Sequence, residues 1–148
     1  MRVFRVAPRE RSSSPLDGEG SFRYGGRWSS PGTRIAYAST IPELARLEHS
    51  LHVPYSRIAV ALLFVVAELP DNAVEELADA ALPRDWDTVP APRADAAIGD
   101  AWAASGRSLA LTIPTALVPR ALTRERNVLI NPNHPLFKRA SIRTIAFT

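Results

Sequence analysis

Residues 35–51 read IAYASTIPELARLEHSL, and this stretch decides the class of fold. Ile35-Ala-Tyr-Ala38 is a short apolar run of the kind that forms a strand. Thr40 follows as a helix N-cap, Pro42 suits the first turn, and Glu43 stands three residues after Thr40. That spacing is a capping box, in which hydroxyl and carboxylate each satisfy a backbone donor left free by the first turn. The predicted helix runs to about Leu51, Pro54 ends the region, and Leu44, Leu47 and Leu51 form its apolar stripe. Glu48 falls on that stripe. A carboxylate there points at the interior or into a cleft, and without a partner its burial is costly. The pattern alone also allows Glu48 to lie at the stripe's edge in water, or to pair with Arg46 or His52.

On either side the chain continues in short pieces, punctuated by thirteen prolines. Val3–Val6 reads as an opening strand, and the apolar run Arg57–Leu69 as another. Asp71 or Asn72 caps a predicted helix through Ala81, with Glu75 and Glu76 in its first turns. Ala94–Ser105 reads as a helix carrying Ile98 and Trp102 four apart, closed by Gly106. Ser108–Ile113, Asn127–Ile130 and Ile142–Phe147 read as strands. Strands and helices alternate irregularly, which points to an α+β (mixed α/β) fold over a regular doubly wound sheet. The 148 residues suit a single domain, 1–148.

Composition narrows the function. There is no cysteine, hence no disulfide and no thiolate metal site. The N-terminus lacks a signal-type apolar run, and the longest apolar run, Ile58–Ala67, is half the roughly 20 residues a membrane helix needs. No membrane association and a cytoplasmic location are expected. The net charge is +3 and the pI about 9.9, with the arginines dispersed. A solvated surface explains this, as does a phosphate-bearing ligand or an acidic partner. No aromatic-plus-basic pattern marks a nucleic-acid platform, so no direct nucleic-acid partner is expected. His49, His52 and His134 lack the companions of a metal site, and none is expected. Five of the seven glycines lie between Gly18 and Gly32, inside a Ser-, Gly- and Pro-rich segment spanning Ser12–Gly32. They match neither the dinucleotide-binding fingerprint nor the P-loop. Such a loop can bring backbone N–H groups to a ligand, or be a plain surface loop.

Three segments stand out together: Gly18-Glu-Gly-Ser-Phe-Arg-Tyr-Gly-Gly-Arg-Trp-Ser-Ser-Pro-Gly-Thr33 with Tyr37-Ala-Ser39; Leu44-Ala-Arg-Leu-Glu-His49; and Leu111-Thr-Ile-Pro-Thr-Ala-Leu-Val-Pro119 with Asn127-Val-Leu-Ile-Asn-Pro-Asn-His-Pro135. In this order they resemble the RES domain, the toxin half of a family of bacterial toxin–antitoxin pairs, named for an Arg, a Glu and a Ser. The resemblance extends from Val3 to about Phe147. By motif, Arg27 matches the family arginine, Glu48 the glutamate, Tyr37 the tyrosine of the YAS segment and Asn127 the asparagine opening NVLINP. Thr115 stands where the family usually has serine; it keeps a hydroxyl and adds a methyl. The chain also stops sooner after its last strand than the resemblance leads one to expect.

The resemblance implies an ADP-ribosyltransferase-like fold with a central cleft for NAD as substrate. It implies hydrolysis or phosphorolysis of the nicotinamide–ribose bond, with phosphate a candidate co-substrate. In some relatives ADP-ribose is transferred to a protein instead. It also implies an Xre-like antitoxin that blocks the cleft. The serine-to-threonine change and short C-terminus leave open an inactive module that binds only NAD or antitoxin.

The residue types suit this chemistry. The guanidinium of Arg27 can grip phosphate or ribose oxygens bidentately, or brace its loop against Trp28. Tyr37 can offer a ring face to a cationic nicotinamide, or be a core tyrosine on a strand. As nicotinamide departs, positive charge grows on the ribose, and a nearby carboxylate stabilises it more than the ground state. Glu48 is the candidate for that, with Thr115 and Asn127 orienting it or the ribose. Glu43, Glu68, Glu75 and Glu76 read as caps or surface charges.

Overall fold

A computed structural model describes residues 1–52 and 61–147. It contains strands β1 (Arg2–Pro8), β2 (Ala36–Ser39), β3 (Leu62–Glu68), β4 (Val74–Glu76), β5 (Ala110–Pro114), β6 (Arg126–Ile130) and β7 (Ser141–Ala146). Three α-helices accompany them: α1 (Glu19–Tyr24), α2 (Pro42–His52) and α3 (Arg93–Ser105). All seven strands join one mixed sheet in the order β4-β5-β6-β2-β1-β3-β7. The β4–β5 pair is parallel and the remaining pairs are antiparallel. This is the α+β arrangement expected from the irregular alternation. The expected start of the third strand at Arg57 and the helix stop at Pro54 lie outside the described residues.

Period-two alternation sorts the sheet into two faces. Val3, Ala7, Ala36, Ala38, Leu63, Val65, Ala67, Val128 and Ile130 share one buried cluster. Leu111, Ile113 and Leu129 point the other way, into a cluster with Trp28, Ile35 and Trp102. The alternate residues of β2 and β6, namely Tyr37, Ser39 and Asn127, therefore face the second side. There α3 contributes Trp102 and Ile98, and α2 packs on β1 and β2.

Four local expectations are corrected. The segment after Asp71 does not form a helix through Ala81. A single turn at Asp71–Ala73 leads into β4, whose Val74, Glu75 and Glu76 pair with Ala110, Leu111 and Thr112. Free backbone groups beside β5 and an ion pair from Arg107 to Glu75 outweigh the helical propensity of this Ala- and Glu-rich run. Second, the capping box does not form. The Thr40 hydroxyl donates to Glu125 Oε2 and accepts from the Arg126 N–H at 2.9 Å, so it ties α2's entry to β6. Third, burial on α2 follows Leu44 and Ala45, while Leu47 and Leu51 are exposed. The buried arc is thus rotated from the leucine stripe toward Glu48. Finally, the Gly-rich segment holds the short helix α1. Gly18 offers no side chain to cap it, Asp17 Oδ1 accepts from the Glu19 N–H at 3.0 Å, and Ser21 adds tertiary ties, donating to Thr33 O and accepting from Ile35 N–H at 2.8 Å. No described helix is long and apolar enough to cross a membrane.

Candidate active site

Glu48 lies on the inner arc of α2, four residues after the buried Leu44, and its side chain is 21% exposed. The Oε1 atom accepts two hydrogen bonds from the sheet: 2.9 Å from the Thr115 hydroxyl, just beyond β5, and 2.5 Å from Asn127 Nδ2 at the start of β6. Oε2 faces the largely exposed imidazole of His52, one helical turn on, at 3.4 Å. Thr115 is itself pinned, because its hydroxyl accepts from the Leu117 N–H at 3.1 Å. The added methyl therefore does not displace the hydroxyl from the carboxylate. Burial by itself raises the Glu48 pKa, but hydrogen bonds from His52, Asn127 and Thr115 outweigh it and hold the group below its ordinary value. His52 shifts the opposite way: its bond to Glu48 raises its pKa, while burial and the charge of Arg27 pull it down.

Arg27 is delivered by the 25–30 loop, most of whose N–H groups are committed within the protein. Gly26 and Ser29 exchange backbone hydrogen bonds, Trp28 N–H donates to the Tyr37 hydroxyl at 3.1 Å, and Ser30 N–H donates to Asp100 Oδ1 at 2.9 Å. These N–H groups hold the loop and do not form a cradle for a ligand. Gly26 is required by close approach: a Cβ there would come within 2.7 Å of the Tyr37 hydroxyl oxygen. The Tyr37 hydroxyl also shares a 2.7 Å hydrogen bond with Ser29, and burial pushes its pKa up to about 12. Tyr37 thus braces the loop from below.

The guanidinium of Arg27 donates through Nη1 to the carbonyls of Trp86 and Thr88, at 2.7 and 2.9 Å. Asp95, fully buried in the first turn of α3, stands 3.6 Å from the same nitrogen. Among the described residues neither carboxylate oxygen of Asp95 has a partner within hydrogen-bond distance, and burial raises its pKa to about 6 against the pull of Arg27. Among the described residues Nε and Nη2 of Arg27 make no hydrogen bond within the protein.

Two of the five residues singled out from sequence, Thr115 and Asn127, close directly on a third, Glu48. Tyr37 supports the loop of Arg27. No direct Arg27–Glu48 contact occurs among the described residues. Sequence reading missed Asp95 and Ser39. Asp95 had a faint signal, a lone acid on the inner face of an Ala-rich helix; Ser39 had none beyond its place in the YAS segment. A separate hollow at the β4 edge, lined by Met1, Asp71, Val74, Glu75, Glu76 and Thr112, carries three carboxylates and does not suit a pyrophosphate.

Fold and site together define a small α+β protein with one hydrogen-bonded carboxylate on a helix and one anchored arginine on a loop. The chain belongs to the RES domain family, whose model matches residues 2–148. It is 34% identical to a Prs ADP-ribosylating toxin of Sphingobium sp., across 96% of this chain and 89% of the relative. It is 30% identical to the protein Toxin Res of Photorhabdus laumondii, across 89% of this chain and 82% of the relative. Its fold matches a chain in the crystal structure of the M. tuberculosis MbcT–MbcA toxin–antitoxin complex, with a TM-score of 0.75 at 18% identity, over 99% of this chain and 84% of that one.

Proposed function

We propose that this chain is the toxin of a toxin–antitoxin pair and that, as one domain over residues 1–148 acting in the cytoplasm, it consumes NAD by breaking the nicotinamide–ribose bond. The observation that carries this reading is the Glu48 carboxylate, held by Thr115 and Asn127 on one oxygen and facing only His52 on the other, with its pKa kept low by His52, Asn127 and Thr115. Its RES relatives, one of them named an ADP-ribosylating toxin, support the substrate.

In this mechanism Arg27 binds a phosphate or ribose oxygen of NAD with its uncommitted nitrogens. Tyr37 keeps the loop rigid through its hydroxyl. The glycosidic bond breaks with its electron pair passing to the pyridine nitrogen, so nicotinamide leaves neutral and needs no general acid. The ribosyl cation left behind is stabilised by Glu48. Water or phosphate then attacks and loses a proton, giving ADP-ribose or its 1''-phosphate. An antitoxin occupying the cleft silences the activity, in keeping with the complex in which the structural neighbour was solved.

A second reading, transfer of ADP-ribose to a protein, is favoured by the printed name of the Sphingobium relative. Labelled NAD separates the two: free ADP-ribose or its phosphate supports the first, a labelled protein band the second. Under either, Glu48→Gln lowers the rate of NAD loss at least a hundredfold in a folded protein. A rate within threefold of the parent would remove Glu48 from the chemistry.

A further inference from the structure

We propose that Ser39 is a positioning residue for the Glu48 carboxylate, acting through the side-chain amide of Asn127. The inference rests on the reading of Glu48 given above for its link to NAD, but its structural content can be measured without NAD. Ser39 ends β2 and stands directly across from Asn127 in the β2–β6 register, with Phe4 of β1 on its other side. Ser39 is buried, only 2% exposed. Among the described residues its hydroxyl makes one hydrogen bond, donating to Asn127 Oδ1 at 2.9 Å. Asn127 Nδ2 in turn donates to Glu48 Oε1.

The two ends of an asparagine amide are nearly alike in shape, so partners decide which end faces where. With Oδ1 fed by Ser39, the N–H end is presented to the carboxylate. Removing the Ser39 hydroxyl takes from Oδ1 its side-chain donor and lets the amide turn about its last bond. Glu48 then keeps the Thr115 donor but loses the fixed one from β6. The line Ser39–Asn127–Glu48 thus runs from the centre of the sheet to the helix and carries the carboxylate's orientation. The hydroxyl of Ser39 touches neither Glu48 nor any reacting atom, which makes its role indirect.

The test follows the Glu48 carboxyl by carbon-detected NMR titration in the full chain and, in parallel, NAD turnover. In the parent, Glu48 titrates below the ordinary glutamate range. In Ser39→Ala the midpoint rises by about half a unit or more and kcat falls about tenfold, with KM changed less than twofold, while Ser39→Thr restores both. Asn127→Ala raises the midpoint as well, and adding Ser39→Ala to it has no further effect, since the effect of Ser39 passes through the amide. An unmoved midpoint in Ser39→Ala, or an equal added shift in the Asn127→Ala background, overturns the proposal. If Ser39→Ala does not fold, Ser39→Cys keeps the volume with a weak donor and carries the same outcomes. A parent that leaves NAD intact and labels no protein, while the titration behaves as described, sinks the NAD reading and leaves the positioning role standing.

Discussion

Asp95 occupies a place where an ionised group is hard to keep: no exposed surface, no hydrogen bond to either oxygen among the described residues, and one guanidinium 3.6 Å away. Burial is the first cause of its raised pKa, about 6, and Asp85 and Asp87 add to it while Arg27 opposes. Because the folded state holds this proton more tightly than the unfolded chain, stability falls as pH climbs from about 4 through about 6, and the penalty is complete above that window. Asp95→Asn removes the dependence. Urea unfolding of the two proteins is therefore expected to show the variant gaining on the parent by on the order of 2 kcal/mol between pH 4.5 and pH 7.5. A difference that stays constant across the two pH values would mean that Asp95 ionises normally. Stability given up at this position holds a charge behind Arg27, the kind of cost that accumulates at functional sites. Glu48 shows the opposite balance, since three donors outweigh its burial.

The elements are joined by backbone contacts as much as by side chains. The loop carrying Arg27 rests on α3 at Gly99, where a Cβ would stand 1.6 Å from the Trp28 carbonyl oxygen. No rotamer change relieves an overlap between a Cβ and a main-chain atom. Gly99→Ala should therefore push loop and helix apart and cost more than about 3 kcal/mol, read as a drop in the urea midpoint. Gly20→Ala is the control: its Cβ meets open space within α1, and it should raise stability by about 0.5–1 kcal/mol. A loss below 1 kcal/mol at Gly99 would mean the helix and loop do not meet there. The ends of β1, α3, β5, β6 and β7 were legible in the sequence to within two residues, because period and breakers are local signals. The helix expected after Asp71 was not, because β4 exists only through its partner β5. Nor was the orientation of α2, because leucines at helical spacing do not reveal that the sheet offers hydroxyl and amide donors to a carboxylate.

On the scale of the whole molecule, the site sits where the two central strands β6 and β2 meet the helix side of the sheet. Any ligand that binds there couples to global stability. In Glu48→Gln, chosen because slower turnover is expected of it, NAD at a hundred times its dissociation constant should stabilise the fold by about 2.7 kcal/mol, seen as a rise in melting temperature. No rise at millimolar NAD would count against a formed binding site. By itself the sequence determined the α+β class, the residue types that suit glycosidic chemistry and the family, since ordered short motifs are written in the chain one after another. Tertiary structure alone decided that Thr115 and Asn127, which lie 67 and 79 residues from Glu48, share one of its oxygens. It alone decided that the carbonyls of Trp86 and Thr88 anchor the Arg27 guanidinium, that Ser39 bonds to Asn127, and that Asp95 stands behind Arg27. Hydrogen bonds and burial between distant segments depend on strand register and helix rotation, and these are fixed when the whole sheet closes, not by any stretch read alone.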